Sequence, residues 1–153
     1  MIDQAGILMA QGLGIASERI QGVNDNMSQS HYHEYYEIYY LEAGERFHMV
    51  EDQLYKMEAG EFMIFPPYVM HHSYGEENIP FKRLLLYFKP EEILWPSVRD
   101  ALKEESGIYR TDIKKRQEIH RVMEDILKEQ KDPGAFHEEY DRGILNVLLL
   151  LIA

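Results

Sequence analysis

Between residues 31 and 88, short apolar and aromatic runs alternate with turn-forming residues, the pattern of antiparallel strands. Runs at 37–41 and 46–50 flank Glu42-Ala43-Gly44-Glu45, and a turn at Glu51-Asp52 leads into 53–57. Glu58-Ala59-Gly60 leads into 61–65, where Pro66-Pro67 breaks the strand; 71–74 and 81–88 follow, separated by a loop over 75–80. Residues 1–30 are weakly patterned, with a strand over 15–20 and a turn signal at Asn24-Asp25-Asn26. Seven or eight short strands at this spacing predict an all-β sandwich or small barrel for the first half.

The period changes after residue 90. A short helix is expected over 97–105, stopping at Gly107. From the capping residue Asp112, apolar positions at Ile113, Ile119, Val122, Met123, Ile126 and Leu127 follow helical spacing until Asp132-Pro133-Gly134. The last helix aligns Phe136, Tyr140, Ile144, Val147, Leu148 and Leu151 on one face, while Leu145, Leu149 and Ile152 make a second apolar face. One face can cover the sheets or the preceding helix. The other is buried in the monomer or meets a partner, and two antiparallel helices suit a dimer interface. The chain stops inside this apolar run, without a polar close, as expected of a domain cut from a longer protein.

Composition narrows the function classes. The 153 residues fit one domain with a substantial core. The net charge of -11 argues against this piece gripping nucleic acid, which needs a positive footprint. Lys114-Lys115-Arg116, the one basic cluster, reads as a solvated helix face. No cysteine is present, and neither a signal peptide nor a membrane-length apolar run is seen, so a cytoplasmic protein without a membrane partner is expected.

The candidate chemistry sits in His31-Tyr32-His33-Glu34-Tyr35-Tyr36-Glu37. Imidazole and carboxylate bind divalent metals, but a straight strand would hold His33 and Glu37 about 13 Å apart. The stretch is a site only if the chain turns through Glu34-Tyr35-Tyr36 and restarts at Glu37. His72 would point away from its neighbour His71, and His48, His120 and His137 read as isolated surface or core residues. Tyr39 shares the face of Glu37 and is the best pocket candidate among many strand tyrosines. The directions of Arg46 and Glu61 are not given by the pattern.

His31, His33, Glu37 and Gly44 match His-x-His-x3-Glu-x6-Gly, and Gly60, Pro66 and His71 match Gly-x5-Pro-x4-His. Together they resemble the two cupin motifs, although Asp25, Tyr68 and Gly75 replace two glycines and an asparagine of those motifs. Over residues 30–153 the chain more closely resembles the N-terminal sensing domain of AraC-family transcription regulators. The phrases that carry this are His-Tyr-His-Glu-Tyr-Tyr-Glu-Ile-Tyr-Tyr-Leu-Glu-Ala-Gly and Met-Glu-Ala-Gly-Glu-Phe-Met-Ile-Phe-Pro-Pro-Tyr-Val-Met-His-His, with the helical pair that follows.

The resemblance implies a mainly β fold with C-terminal helices. A cupin-like jelly-roll barrel would occupy 1–90, with 1–30 as an N-terminal arm and first strands. A helical dimerisation segment would occupy 91–153, with a homodimer formed through 112–153 and DNA read by a further C-terminal domain. It implies a non-enzymatic sensor of a small effector such as a sugar, with His31, His33, Glu37, Tyr39 and His71 as ligand-binding residues. His31, His33, Glu37 and His71 either hold one divalent ion (Zn, Ni, Mn or Fe) or hydrogen-bond without metal. The alternative is a metal-dependent cupin enzyme, a dioxygenase or isomerase, using those four ligands.

Overall fold

The computed structural model describes residues 4–23, 32–75, 79–104, 108–109 and 111–153. Strands β1 (Ile15–Val23), β2 (Tyr36–Ala43), β5 (Phe62–Phe65), β7 (Pro80–Phe88) and β8 (Ile108–Tyr109) form one sheet, in the order β1-β7-β2-β5-β8. Strands β3 (Glu45–Val50), β4 (Gln53–Glu58) and β6 (His71–Tyr74) form a second, in the order β4-β3-β6. All pair antiparallel. The arrangement is jelly-roll-like, and the two sheets are not closed into a barrel.

Each sheet explains its own sequence pattern. The larger one is covered on both faces. Tyr36, Ile38 and Tyr40 of β2 lie in one apolar cluster with the C-terminal helices, and Tyr39 and Leu41 lie in a second with Val50 and Met57 of the smaller sheet. β2 therefore reads as a continuous aromatic run, as strands buried on both sides do. β3 alternates instead, with Arg46, His48 and Val50 buried and Glu45, Phe47 and Met49 half-buried, because its outer face is wet. Gly44 joins these two strands with φ +87°, where an added Cβ would come 2.3 Å from the Pro80 carbonyl oxygen. Only glycine fits that corner.

Four α-helices accompany the sheets in the described residues. α1 (Gln4–Ala10) was not legible from the pattern, since it buries only Ala5 and Met9. The Gln4 N–H donates to Glu18 Oε2 at 2.8 Å, tying the helix to β1. α2 (Pro96–Glu104) buries Val98 and Leu102 one turn apart. β8, in the short stretch between the two helices expected from the pattern, adds to the sheet edge through Phe62↔Tyr109 and Met63↔Ile108; two residues are too few for alternation to show.

α3 (Ile113–Lys131) starts at Asp112 as expected, the Asp112 carboxylate accepting the Lys115 N–H at 2.8 Å. Ile119, Val122, Met123, Ile126 and Leu127 are buried against the larger sheet, whereas Ile113 stays 63% exposed. In α4 (His137–Ile152) two apolar faces separate along a different line from the one expected, since Leu148 turns inward and Leu150 outward. Leu145, Leu148 and Leu149 enter the core, and Phe136, just before the helix, Tyr140, Val147 and Leu150 stay exposed. Buried Asn146 is satisfied: its Oδ1 accepts the Leu94 N–H at 2.9 Å, and its Nδ2 donates to the Glu92 and Arg142 carbonyls.

Candidate functional site

The bend that the sequence requires is present. The chain bends at Glu34 and Tyr35, and β2 begins at Tyr36, so Glu37 returns beside His33. The Tyr68 N–H donates to the His33 carbonyl at 2.9 Å, binding this bend to the loop that precedes His71. Tyr68 itself has φ +67°, the left-handed conformation that glycine would supply in the motif it departs from. The backbone keeps the motif's shape while the side chain does not favour it.

His33, Glu37 and His71 converge on one point. Glu37 Oε1 lies 3.1 Å from His33 Nε2 and 3.2 Å from His71 Nε2. On the far side of each ring, His33 Nδ1 meets the Tyr35 carbonyl at 2.8 Å and His71 Nδ1 meets the Val69 carbonyl at 2.9 Å. A carbonyl only accepts, so both Nδ1 atoms carry hydrogen; a neutral ring then turns an Nε2 lone pair, and a charged one a second N–H, towards the carboxylate. The His33 ring stacks on Tyr35 at 4.3 Å and the His71 ring on Phe65 at 4.2 Å, which fixes both orientations.

Lone pairs facing a carboxylate repel unless a proton or a cation lies between them. The site has both solutions available. Burial alone would push the Glu37 carboxyl up, but the two imidazoles overcome it and hold the group well below the usual carboxylate range. Burial opposes charge on His71 too, yet the hydrogen bond and charge of Glu37 raise it. The donor set equally fits a divalent ion: three ligand atoms lie within 4.8 Å of one another, and each imidazole is oriented by a backbone carbonyl, as metal-binding histidines are.

Of the residues expected from sequence, His33, Glu37 and His71 are brought together, and Tyr39 follows Glu37 inward at 2% exposure. His31 lies outside the described residues. His72 occupies the opposite face of β6, half-buried. Sequence reasoning did not single out Arg83, read His48 as an isolated surface or core residue and left Arg46 undirected; all three take inward positions beside Tyr39. Strand parity was the signal that could have found them, once the registers of β3 and β7 were fixed. His120 is not isolated either: its Nε2 lies 2.5 Å from Glu42 Oε2, on the helix side of the sheet. A cavity of about 530 Å³ opens beside His33, between α1, the bend at Tyr35 and the segment from Lys89 to Glu91.

No curated protein sequence matches the chain. Solved structures that resemble it share little sequence. A cupin protein from Bacteroides fragilis is 16% identical, with a TM-score of 0.49 over 65% of this chain and 80% of that one. An RmlC-like cupin family protein with a double-stranded β-helix fold from Methanocaldococcus jannaschii is 17% identical, with a TM-score of 0.45 over 49% of this chain and 70% of that one. A mutant of the oxalate decarboxylase of Bacillus subtilis is 17% identical, with a TM-score of 0.45 over 54% of this chain and 23% of that one. The AraC-like ligand binding domain family matches residues 15–149, from β1 to the last turns of α4. A chain matched over that length, with cupin motifs folded into a jelly-roll-like pair of sheets and helices after them, belongs to the AraC-like ligand-binding domain family.

Proposed function

We propose that this domain senses a small polar effector between its two sheets and transmits its binding through the C-terminal helices, as the dimerising half of a bacterial AraC-type transcription regulator acting in the cytoplasm. DNA contact falls to another domain. The observation that carries this reading is the polar interior that runs from His33, Glu37 and His71 to Tyr39, within a chain of that family. Aromatic walls with a few directed polar groups suit a small hydroxylated ligand such as a sugar.

His33, Glu37 and His71 would hold a divalent ion, with His31 as the expected fourth ligand, and such an ion would offer open coordination positions to ligand oxygens. The protein residues orient the ligand and exclude water. Ligand bound there shifts the population of one arrangement of the N-terminal arm or helical pair, to the extent that it binds that arrangement more tightly. The same triad favours a second reading, a metal-dependent cupin enzyme.

One experiment separates the two. The protein is screened by thermal shift against neutral monosaccharides, polyols and small carboxylates, as purified and after addition of Zn, Ni, Mn or Fe salts. Each stabilising compound is then followed by NMR. A saturable rise in Tm with the compound recovered unchanged is expected. Steady conversion to product would replace the sensor with the enzyme. Metal analysis of untreated protein against His33→Ala tests the cage: undiminished metal in the variant rules it out.

A further inference from the structure

The interior beyond the triad holds two buried polar side chains that make no sound hydrogen bond, beside a guanidinium held only by a long ion pair. His48 is 1% exposed, and neither of its ring nitrogens has a hydrogen-bond partner. Its ring meets the edge of Tyr39 at 4.3 Å, and the buried Tyr39 hydroxyl makes no hydrogen bond of sound geometry either. Over the Tyr39 ring, at 5.5 Å, lies the guanidinium of Arg83, whose side chain is 13% exposed. Its ion pair with Glu18, at 3.9 Å, is too long to be a hydrogen bond, and among the described residues Arg83 donates none. A second guanidinium, that of Arg46 at 2% exposure, completes the wall, donating to Ser73 Oγ at 3.3 Å and lying 4.1 Å over the Phe81 ring.

Buried polar groups left without partners are costly and rare. His48 and Tyr39 lie side by side from two strands, next to the Arg83 guanidinium of a third, and two such groups together are not accidents of packing. Elsewhere the fold completes such groups, as at Asn146. The two guanidinium groups share this interior with the carboxylates of Glu18 and Glu37, and the Arg83 pair with Glu18 is long enough for a ligand carboxylate to compete with it.

Resting on the sensing reading above, we infer that Arg83, Tyr39 and His48 form the recognition subsite of an anionic effector: a small polyhydroxy carboxylate, the chemical class of the sugar acids. A guanidinium fork matches a carboxylate with two parallel N–H···O bonds. The neutral His48 ring supplies one donor and one acceptor, and the Tyr39 hydroxyl supplies one of each, which is what hydroxyl groups need. Arg46 adds favourable potential without having to touch the ligand. A neutral sugar would leave the Arg83 fork unmatched.

The test is calorimetric titration of the full 153-residue chain with glucuronate, galacturonate and gluconate, each against its uncharged counterpart, glucose, galactose and sorbitol. At least one acid is expected to bind saturably, more than tenfold tighter than its counterpart. Arg83→Gln is expected to weaken that acid at least tenfold and to narrow its advantage. His48→Phe is expected to weaken it while the free protein melts no lower, so that lost binding is not lost folding. Equal or tighter binding of the neutral compounds overturns the anionic class and leaves the sensing reading standing. Acid binding undiminished in both variants overturns the subsite, and a panel that is silent throughout overturns the inference. The sensing reading itself fails by the turnover found in the NMR test.

Discussion

A neutral imidazole brings one donor and one acceptor into the interior, and His48 buries both without a partner. Burial pushes its pKa down from 6.5 to about 3. Between those values the unfolded chain binds a proton that the native protein refuses. Stability from this group therefore falls as pH falls through the window, by up to about 1.4 kcal/mol per pH unit. His48→Phe removes the ring nitrogens and keeps an aromatic ring in place. At pH 7 without ligand the variant is expected to be as stable as the parent or about 1 kcal/mol more so. Urea unfolding from pH 7 to 4 should show the variant's advantage widening as pH falls; parallel stability curves would refute the buried, neutral assignment. Such residues were legible from sequence only as parity. His33, Glu37 and His71 stood out because a spaced motif marks them, whereas His48 and Arg83 gain meaning only from the strands opposite.

The same limit applies to contacts between elements. Arg19 of β1 forks onto Glu42 of β2 at 2.8 and 2.9 Å, and reaches Glu124 of α3 at 2.7 Å. His120 of α3 closes the group onto Glu42. Burial raises the Glu42 carboxyl, but His120 and Arg19 more than reverse that and bring it down to about 2. Its contribution is present above the unfolded value of 4.5 and is lost as pH falls through about 2. Glu42→Gln is expected to cost about 2 kcal/mol at pH 7 and to speed amide exchange in the middle of α3. Unfolding curves and hydrogen-exchange mass spectrometry measure both, and unchanged protection in α3 would show that the cluster does not hold the helix. Partners 105 residues apart cannot be read from local pattern. The elements themselves could: the strand runs, the Gly44 corner, the Asp112 cap and both C-terminal helices follow from periodicity and turn chemistry. The exceptions, α1 and β8, are held by two buried residues and two pairings.

At the scale of the molecule, one strand joins the proposed sensing side to the helical side. Tyr39 of β2 faces the polar interior, while Tyr36, Ile38 and Tyr40 on either side of it pack in the cluster that contains α3 and the inner face of α4. A ligand that repositions Tyr39 thus acts one peptide away from residues on which the helices rest. The outer face of α4 carries the proposed dimer. Phe136, Tyr140, Val147 and Leu150 are 76, 43, 48 and 52% exposed, a run of large apolar side chains along one helix. Sequence reading expected two apolar faces but drew the line between them wrongly: Leu148, aligned with Phe136 and Tyr140, fills the core beside Leu145 and Leu149, and Leu150 turns outward. Charge placed on the outer face should break the dimer without disturbing the monomer. Light scattering after size exclusion is expected to give the parent chain twice its 18.1 kDa mass, and Val147→Glu the single mass. Because Val147 contributes little to the core, the variant's Tm, extrapolated to low protein concentration, should match the parent's. A monomeric parent, or a variant that remains dimeric, would move the interface off this face and leave the apolar run on α4 to another partner.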